Sequence, residues 1–209
     1  MARTLFTTRS QSYGGDQIVA RRQLGEEIRL DLQFMEQIHG GEVSVISKPT
    51  AQLPKADALV TSTPGIGLAV LVADCLPILI DGGDVVAAVH AGRKGLVLGV
   101  IRNAIEVMCT LTAKPLDSFL VQIGPSICST CYEVSPDMYA ELTKSHPAMA
   151  TNDEAHSLDL QAEAKSQLLA LGISAANIHD WQRCTLESPY HFSYRGGDLL
   201  DRQIGLISL

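Results

Sequence analysis

The most restrictive feature of the sequence is a series of four short apolar runs in its centre. The runs cover residues 58–61, 68–72, 76–80 and 85–90, and they are separated by clusters rich in glycine and aspartate. Runs of this length, rich in aliphatic residues and bounded by turn-forming residues, are typical of buried strands. The sequence therefore predicts that the middle of the chain forms the core of a β-sheet.

Helices and further strands are predicted on both sides of this centre. Asp16 and Ser135 suit helix N-caps, Pro136 suits a first helical position, and Gly172 suits a helix end. The predicted helices cover residues 16–29, 96–108, 136–144 and 158–171. The predicted strands cover residues 5–9, 119–123, 178–184 and 204–208, and a strand, a turn at Gly40-Gly41 and another strand are expected over 34–46. This mixture indicates an α/β (α+β) fold.

Composition restricts the possible partners. The chain has 209 residues, 46% of them hydrophobic, so we expect one domain with one large core over residues 1–209. A formal charge of −7 argues against nucleic-acid binding, which needs surplus Lys and Arg. Asp74 and Pro77 interrupt the longest apolar run, and the polar start does not resemble a secretory signal. We expect a soluble protein without membrane partners, as a monomer or weak homodimer.

The five cysteines indicate the compartment. Their odd number, without an export signal, points to reduced thiols in the cytoplasm. Cys128 and Cys131 form a C-x-x-C pair, but no second pair and no suitably spaced histidines complete a structural zinc site. We therefore interpret this pair as part of the core and a loop.

One predicted hairpin places two possible metal ligands together. The connection between Ile80 and Val85, Asp81-Gly82-Gly83-Asp84, suits a tight turn. If Ile80 pairs with Val85, then Cys75 lies directly opposite His90. Opposed residues on one face have Cβ atoms about 4.5–5.5 Å apart, which lets two side chains share one metal ion. A bulge at the proline two residues after Cys75 would shift this register.

A third ligand has to come from another segment. His39 lies at a Gly-Gly turn, and a loop can bring its imidazole to the open side of the Cys75 and His90 pair. Two imidazoles and one thiolate suit Zn²⁺, and three protein ligands leave a fourth position for water or substrate. The alternative is that the histidines are structural and that Cys75 is a small buried hydrophobe.

Six ordered blocks of the sequence resemble those of a known family. The blocks are Gln37-Ile38-His39-Gly40, Ala56-Asp57-Ala58-Leu59-Val60-Thr61, Ala73-Asp74-Cys75-Leu76-Pro77, Val89-His90-Ala91-Gly92, Ile123-Gly124-Pro125-Ser126-Ile127 with Tyr132-Glu133-Val134, and Cys184-Thr185 with Phe192-Ser193-Tyr194-Arg195. They span nearly the whole chain, which thereby resembles the YfiH-like family. That family is also called laccase-domain, polyphenol oxidase or purine nucleoside phosphorylase.

The resemblance implies a fold, a metal and an activity. The implied fold has four layers, α/β/β/α, in which two packed mixed sheets are flanked by helices, as in a bacterial deamidating toxin domain. The implied cofactor is zinc, held by His39, Cys75 and His90. The activities attributed to the family are phosphorolysis of adenosine, inosine, guanosine and methylthioadenosine, and deamination of adenosine. The implied partners are thus a purine nucleoside and phosphate.

The residues expected around the substrate depart from the family pattern. After His-Ala-Gly the family usually has Trp-Arg-Gly, whereas this chain has Arg93-Lys94-Gly95, so we expect the pocket to lack an aromatic wall. The usual Thr-Gly-Arg near the end is replaced by Leu200-Asp201-Arg202, and the loop after Thr7-Thr8-Arg9 is shortened. The metal ligands are retained.

The favoured hypothesis is a zinc-dependent purine nucleoside phosphorylase with adenosine deaminase activity. Fixed cations beside the metal would hold phosphate for attack on the glycosidic bond. The candidate substrate-binding residues are Arg9, Gln37, Arg93, Arg195 and Arg202, although Arg93 also suits a solvated turn. The candidate catalytic residues are Cys75, Asp74 and His90, and Asp74 is equally suited to a turn hydrogen bond.

Two other functions remain open, and a third is disfavoured. Cys75 could be a nucleophile with His90 as its base, in a hydrolase, a deamidase or an editing enzyme for amino acids in cell-wall precursors. A multicopper oxidase needs many imidazoles, often as His-x-His, and the six histidines here include no such pair, which argues against copper. A non-catalytic zinc module would need a fourth protein ligand, for which His191 and Cys184 are candidates.

Overall fold

The computed structural model describes residues 2–13, 16–151 and 154–209, and its strands form two sheets. The first sheet contains β1 (Arg3–Phe6), β2 (Asp31–Gln33), β5 (Ile66–Val72) and β10 (Gln203–Ser208), in the order β1-β10-β5-β2. The second contains β3 (Val43–Val45), β4 (Ala58–Thr61), β6 (Leu76–Asp81), β7 (Val86–Ala91), β8 (Leu120–Ile123) and β9 (Ile178–Asp180), in the order β3-β4-β7-β6-β8-β9. Both sheets are mixed, because β2 runs parallel to β5, β3 to β4 and β8 to β9.

Helices cover the outer faces of both sheets. The helices are α1 (Gln17–Ile28), α2 (Arg93–Val97), α3 (Val100–Leu111), α4 (Pro136–Ser145) and α5 (Leu160–Ala170). Leu24 of α1 packs with Leu32 and Leu206 outside the four-stranded sheet. The buried faces of α3 and α5 pack outside the six-stranded sheet, where Ile101 and Leu168 share a core with its strands.

A third core fills the space between the two sheets. Leu68 and Val70 of β5 face Leu59 of β4 and Leu79 of β6 across this layer. Alternate residues of the central strands thus point into different cores. Because both faces of these strands are buried, their residues are nearly all apolar, which explains the apolar runs in the sequence. The predicted four-layer α/β/β/α arrangement of two mixed sheets flanked by helices is confirmed.

The predicted hairpin exists, but its register was wrong by two residues. Strands β6 and β7 pair Asp81 with Val86 and Pro77 with His90, so Cys75 is not opposite His90. The loop is displaced by one residue, because Gly82 N–H bonds to the carbonyl of Val85 and Asp81 stays in the strand. This register instead brings Cys75 towards the residues just after β7.

The predicted strand, turn and strand over residues 34–46 is not a hairpin. Its second strand, β3, lies in the six-stranded sheet, while β2 precedes the segment and lies in the four-stranded sheet. The segment between them crosses from one sheet to the other. Backbone amides of 38–40 bond to the carboxylate of Asp57, a long-range partner that the local sequence did not reveal.

Other elements differ at their ends. The helix predicted over 96–108 is two helices, α2 and α3, because the backbone turns at Gly99, whose φ is 75°. The first strand lies earlier than predicted and is followed by a short 3-10 helix, Arg9–Gln11, and the strand predicted over 178–184 ends at Asp180.

In the described parts of the chain no helix has the length and apolarity that a bilayer crossing requires.

The predicted N-cap of α1 gives a direct test of the helix boundary. Asp16 Oδ1 accepts hydrogen bonds from the amides of Ile18 at 2.8 Å and Val19 at 3.2 Å. We expect Asp16→Ala to lower the free energy of unfolding by about 0.5–2 kcal/mol, since these amides lose their partner. Glu26→Ala, an exposed position in the same helix, should change it by less than about 0.5 kcal/mol. Equal losses in urea unfolding of the two variants would contradict this role.

Candidate metal centre

Three side chains from separate segments converge beside the end of β7. His39, Cys75 and His90 each offer one ligand atom, and these atoms lie within 4.8 Å of one another. The rings of His39 and His90 meet edge to face, with centroids 4.8 Å apart and planes at 83°. His39 lies on the exposed side, whereas His90 belongs to a buried strand and is 3% exposed. The group could hold a metal ion between a rigid sheet and a solvent-facing turn.

The carboxylate of Asp57 fixes both histidines. It is fully buried just ahead of β4, and its Oδ1 lies 2.7 Å from Nδ1 of His90. The same oxygen accepts the amide of His39 at 3.0 Å, and Oδ2 accepts the amide of Gly40 at 2.6 Å. Because Nδ1 of His90 faces this carboxylate, the other ring nitrogen is left for a metal, as in the carboxylate–histidine–metal arrangement.

Gly92 makes room for the sulfur. A Cβ atom at this position would lie 2.9 Å from Cys75 Sγ and 3.5 Å from Cδ2 of His39. Any side chain there would press on two of the three ligands. Glycine at position 92, directly after β7, therefore leaves the space that the sulfur of Cys75 occupies.

The electrostatics of the metal-free group favour a charged pair. Burial raises the pKa of the Cys75 thiol, but hydrogen bonds and charges from His39 and His90 outweigh it and lower that pKa to about 6. Burial lowers the pKa of His90, yet Asp57 and Cys75 raise it to about 9. Burial also opposes ionisation of Asp57, but hydrogen bonds from His90 and Gly40 leave its pKa below the usual range. At neutral pH the thiolate is thus ready to bind a cation.

A pocket of about 630 Å³ opens beside the three ligands. The residues that line it are Gln37, His39, Leu71, Val72, Ala73, Asp74, Cys75, His90, Tyr132, Tyr194, Arg195 and Arg202. Two tyrosines therefore supply aromatic surface, although Trp is absent after His-Ala-Gly. The guanidinium of Arg195 lies over the ring of Tyr132 at 4.7 Å and donates to the carbonyl of Glu133 at 2.6 Å.

Asp74 ties the pocket to a distant loop. Its Oδ1 accepts the hydroxyl of Thr185 at 2.7 Å, and its Oδ2 accepts the amide of Arg195 at 2.9 Å. The residue is 8% exposed and has a φ of 89°, a strained conformation for a residue other than glycine. Both oxygens are therefore occupied in positioning the loop that carries Arg195.

The predicted substrate-binding residues separate into two groups. Arg195, Arg202 and Gln37 line the pocket, and the amide of Gln37 makes two bonds, of 2.8 and 2.9 Å, with the backbone of Leu71. Arg9 does not belong to the lining. Its guanidinium pairs with Asp198 and donates to the carbonyl of His191.

Arg93 is also placed outside the lining of this pocket, as the first residue of α2. The structure thus brings together the three predicted metal ligands, Asp74, and three of the five residues proposed to bind substrate. The two arginines left out lie on other elements, and the sequence pattern could not distinguish them from Arg195.

The candidates for a fourth ligand lie elsewhere. His191 contacts the hydroxyl of Ser188 through Nδ1 at 2.9 Å, and burial lowers its pKa. Cys184 instead joins Cys128, Cys131 and Glu187, whose ligand atoms lie within 4.8 Å of one another. The interpretation of the C-x-x-C pair as core and loop is therefore incomplete, since two distant residues come next to it.

Sequence reasoning missed several residues of the site. Asp57, Tyr132 and Tyr194 all occur in the six ordered blocks, but no role was assigned to them. An aspartate directly before the apolar residues that begin β4 was the available signal for Asp57, because a buried carboxylate needs several donors. For the two tyrosines the sequence carried no positional signal, as they come from loops.

The chain is similar to several known proteins. The family model described as "Multi-copper polyphenol oxidoreductase laccase" matches residues 16–209. A Streptomyces griseus protein named purine nucleoside phosphorylase is 40% identical over 183 residues, which are 84% of this chain and 73% of that protein. A protein of an unknown prokaryotic organism named adenosine deaminase is 36% identical over 183 residues, 78% of this chain and 68% of that one. A Neisseria meningitidis crystal structure superposes with a TM-score of 0.85 at 29% identity, covering 100% of this chain and 94% of that one.

The hydrogen bond between Asp57 and His90 should strengthen metal binding at this group. We expect Asp57→Asn to weaken binding of Zn²⁺ by about 10–100-fold, because the imidazole loses the anion that orients it. Competition with a chromogenic chelator measures this affinity. Asp31→Asn removes an equal charge from an exposed position in β2 and should leave it unchanged. Equal affinities of the two variants, with both folded by near-ultraviolet circular dichroism, would contradict the assignment.

Proposed function

The chain belongs to the YfiH-like, laccase-domain family, and on this premise we propose that it is a zinc enzyme that acts on purine nucleosides. The proposed reactions are phosphorolysis of adenosine, inosine, guanosine and methylthioadenosine, and deamination of adenosine. The observation that carries the proposal is the convergence of His39, Cys75 and His90 in the lining of a pocket that also contains tyrosine and arginine side chains. We place the enzyme in the reducing cytoplasm, where its free thiols would persist.

The donor set fits zinc, and the number of histidines argues against a multicopper centre. Two imidazoles and one thiolate are borderline-soft ligands, and three protein ligands leave an open coordination position. Zinc bound there would supply Lewis-acid activation of an oxygen atom. A multicopper oxidase needs many imidazoles, but only His39 and His90 of the six histidines belong to this group. The copper in the family description is therefore not proposed for this chain.

The pocket suits a nucleoside in size and surface. Its volume of about 630 Å³ falls within the range of small-molecule sites, roughly 300–1,000 Å³. Tyr132 and Tyr194 offer aromatic faces on which a purine base can stack. These loop tyrosines would take the place of the Trp that the family usually has. The base would thus be held against the tyrosines of a pocket that also contains the three proposed metal ligands.

Arg195 is the better of the two candidates for holding phosphate. A guanidinium has five N–H donors, and the side chain of Arg195 gives one of them to Glu133. Arg202 already donates to the carbonyls of Asp198, Asp201 and Leu199. Phosphorolysis needs the phosphate to be held in line with the glycosidic bond, and Arg195 can do this from its position over the ring of Tyr132.

Asp74 acts as a positioning residue in this proposal. Both of its oxygens accept hydrogen bonds from the loop that carries Thr185 and Arg195. The carboxylate therefore orients the proposed phosphate ligand. A direct role as proton acceptor would require one of these bonds to break.

Incubation with a nucleoside tests the proposal. Zinc-loaded protein with adenosine and phosphate should release adenine or inosine, whereas Cys75→Ala should do neither. We expect Arg195→Gln to raise the KM for phosphate about 10–100-fold, because a hydrogen bond to a charged group contributes roughly 1.5–3 kcal/mol. Arg102→Gln, an exposed residue of α3, is the matched control and should leave KM unchanged. Lack of turnover with any purine nucleoside would exclude the function.

A second candidate function is favoured by one observation. The thiol of Cys75, the imidazole of His90 and the carboxylate of Asp57 interact in sequence, as in a catalytic triad. The pKa of the Cys75 thiol is also lowered, as is typical of a nucleophile. Such a group could act as a hydrolase, as a deamidase or in amino-acid editing of cell-wall precursors. The nearby imidazole of His39 favours the metal instead, since a thiolate nucleophile needs one base.

Alkylation of Cys75 separates the two functions. In metal-free protein, the pKa of about 6 predicts half-maximal reaction with iodoacetamide near pH 6, with the rate falling as the thiolate is protonated below that pH. In unfolded protein the midpoint should move to about 8.5. Saturating Zn²⁺ should suppress the reaction if Cys75 is a ligand. Amide hydrolysis by the metal-free protein, lost in Cys75→Ser, would favour the nucleophile.

A further inference from the structure

A second group of possible metal ligands lies outside the pocket just described. Cys128, Cys131, Cys184 and Glu187 each offer one ligand atom, and all of these atoms lie within 4.8 Å of one another. Cys131 Sγ is 3.6 Å from Oε1 of Glu187. In the sequence, Cys128 and Cys131 lack the two further ligands that a four-ligand site needs. In the structure, Cys184 and Glu187, from a loop near the end of the chain, lie beside them.

Backbone geometry builds this group from two loops. The carbonyl of Cys128 accepts the amides of Cys131 at 3.1 Å and Tyr132 at 3.2 Å, which folds the C-x-x-C segment into a tight turn. In the second loop, the carbonyl of Cys184 accepts the amide of Ser188 at 3.1 Å, which brings Glu187 back towards the sulfurs. Each loop therefore presents two ligands on one side.

The two loops are also joined by a short parallel bridge. Ser126 N–H donates to the carbonyl of Arg183, and Thr185 N–H donates to the carbonyl of Ser126, both at 3.0 Å. The bridge pairs Ser126 with Cys184 and fixes the distance between the two halves of the group. The sulfurs are thus placed together by main-chain bonds that do not depend on a metal ion.

The ligand set is compatible with four-coordinate zinc, which binds both cysteine sulfur and carboxylate oxygen. Three thiolates and a carboxylate fill a tetrahedron, and ligands at about 2.3 Å from zinc lie roughly 3.8 Å from one another. The ligand atoms in the structure lie up to 4.8 Å apart, so their separations would have to shorten by about 1 Å around an ion. Rotation of the side chains can supply this movement. Cys184 is 9% exposed, while Glu187 faces solvent beside a cavity of about 390 Å³. The cavity gives an ion a route to the sulfurs.

We propose that Cys128, Cys131, Cys184 and Glu187 bind a second Zn²⁺ ion, which has a structural role. Four protein ligands leave no open position, in contrast to the group at His39, Cys75 and His90. The ion cross-links the loop after β8 to the loop before β10. It carries no reaction of its own, and the inference does not rest on the proposed nucleoside chemistry.

The position of the second ion connects it to the pocket. Tyr132, which lines the pocket, directly follows Cys131, and Thr185, which bonds to Asp74, directly follows Cys184. An ion that fixes the two cysteines therefore fixes both pocket residues. Its loss would loosen the pocket wall and leave the ligands on the sheet in place.

Metal counting tests the proposal. Protein purified under reducing conditions and analysed by native mass spectrometry and elemental analysis should hold two Zn²⁺ per chain. The double variant Cys128→Ser/Cys131→Ser should hold one, and Cys75→Ser should also hold one. The control Cys109→Ser changes an exposed cysteine outside both groups and should hold two. A wild-type content of one ion, unchanged in the double variant, would overturn the inference.

A second measurement uses the wild-type chain and does not require the variants to fold. In zinc-loaded protein, Cys128, Cys131 and Cys184 should resist alkylation, and a strong chelator without reductant should expose all three, as peptide mass spectrometry would show. If they react equally before and after chelation, there is no second ion. If they become reactive only after a reductant is added, a disulfide occupies the group and the proposal is wrong.

Discussion

The site depends on one buried carboxylate. Asp57 is fully buried, yet its pKa lies below the usual range, because His90 and the amides of the 38–40 turn donate to its oxygens. Transfer of a charged carboxylate out of water is costly unless such donors compensate for it. The donors that stabilise Asp57 are the same groups that carry or orient two members of the candidate metal site, His39 and His90. The carboxylate therefore links the sheet to the site, since movement of His90 or of the 38–40 turn would remove a donor from a buried charge.

The sequence predicted the three converging ligands, but part of the geometric argument for them was wrong. Opposite residues in β6 and β7 do not include Cys75 and His90. The sulfur comes close to His90 because Cys75 lies against Gly92, which has no side chain to exclude it. A shift of two residues keeps every side chain on its original face, so the conclusion survived an incorrect register. The displacement itself came from a hydrogen bond within the turn, which local residue preferences do not determine.

Features that depend on long-range contacts could not be read from the sequence. The buried strands follow from apolar patterning and the caps Asp16 and Ser135 from local chemistry, whereas the four-layer arrangement was implied only by the resemblance to the family. Arg9 and Arg195 look alike in sequence, but Asp198 holds the first away from the pocket, while Asp74 anchors the backbone of the second inside it. Likewise, a C-x-x-C segment does not reveal that a loop more than fifty residues later supplies Glu187.

The ligands and the pocket wall are held by different parts of the molecule. His90 and the residues around Cys75 belong to a sheet whose side chains are buried on both faces, so a change there disturbs two cores. The tyrosines and Arg195 belong to loops, which are held through Asp74 and the cysteine group. Loops can change sequence without repacking a core. A substitution in the loops that line the pocket is therefore tolerated more easily than one in the strands beside Cys75 and His90.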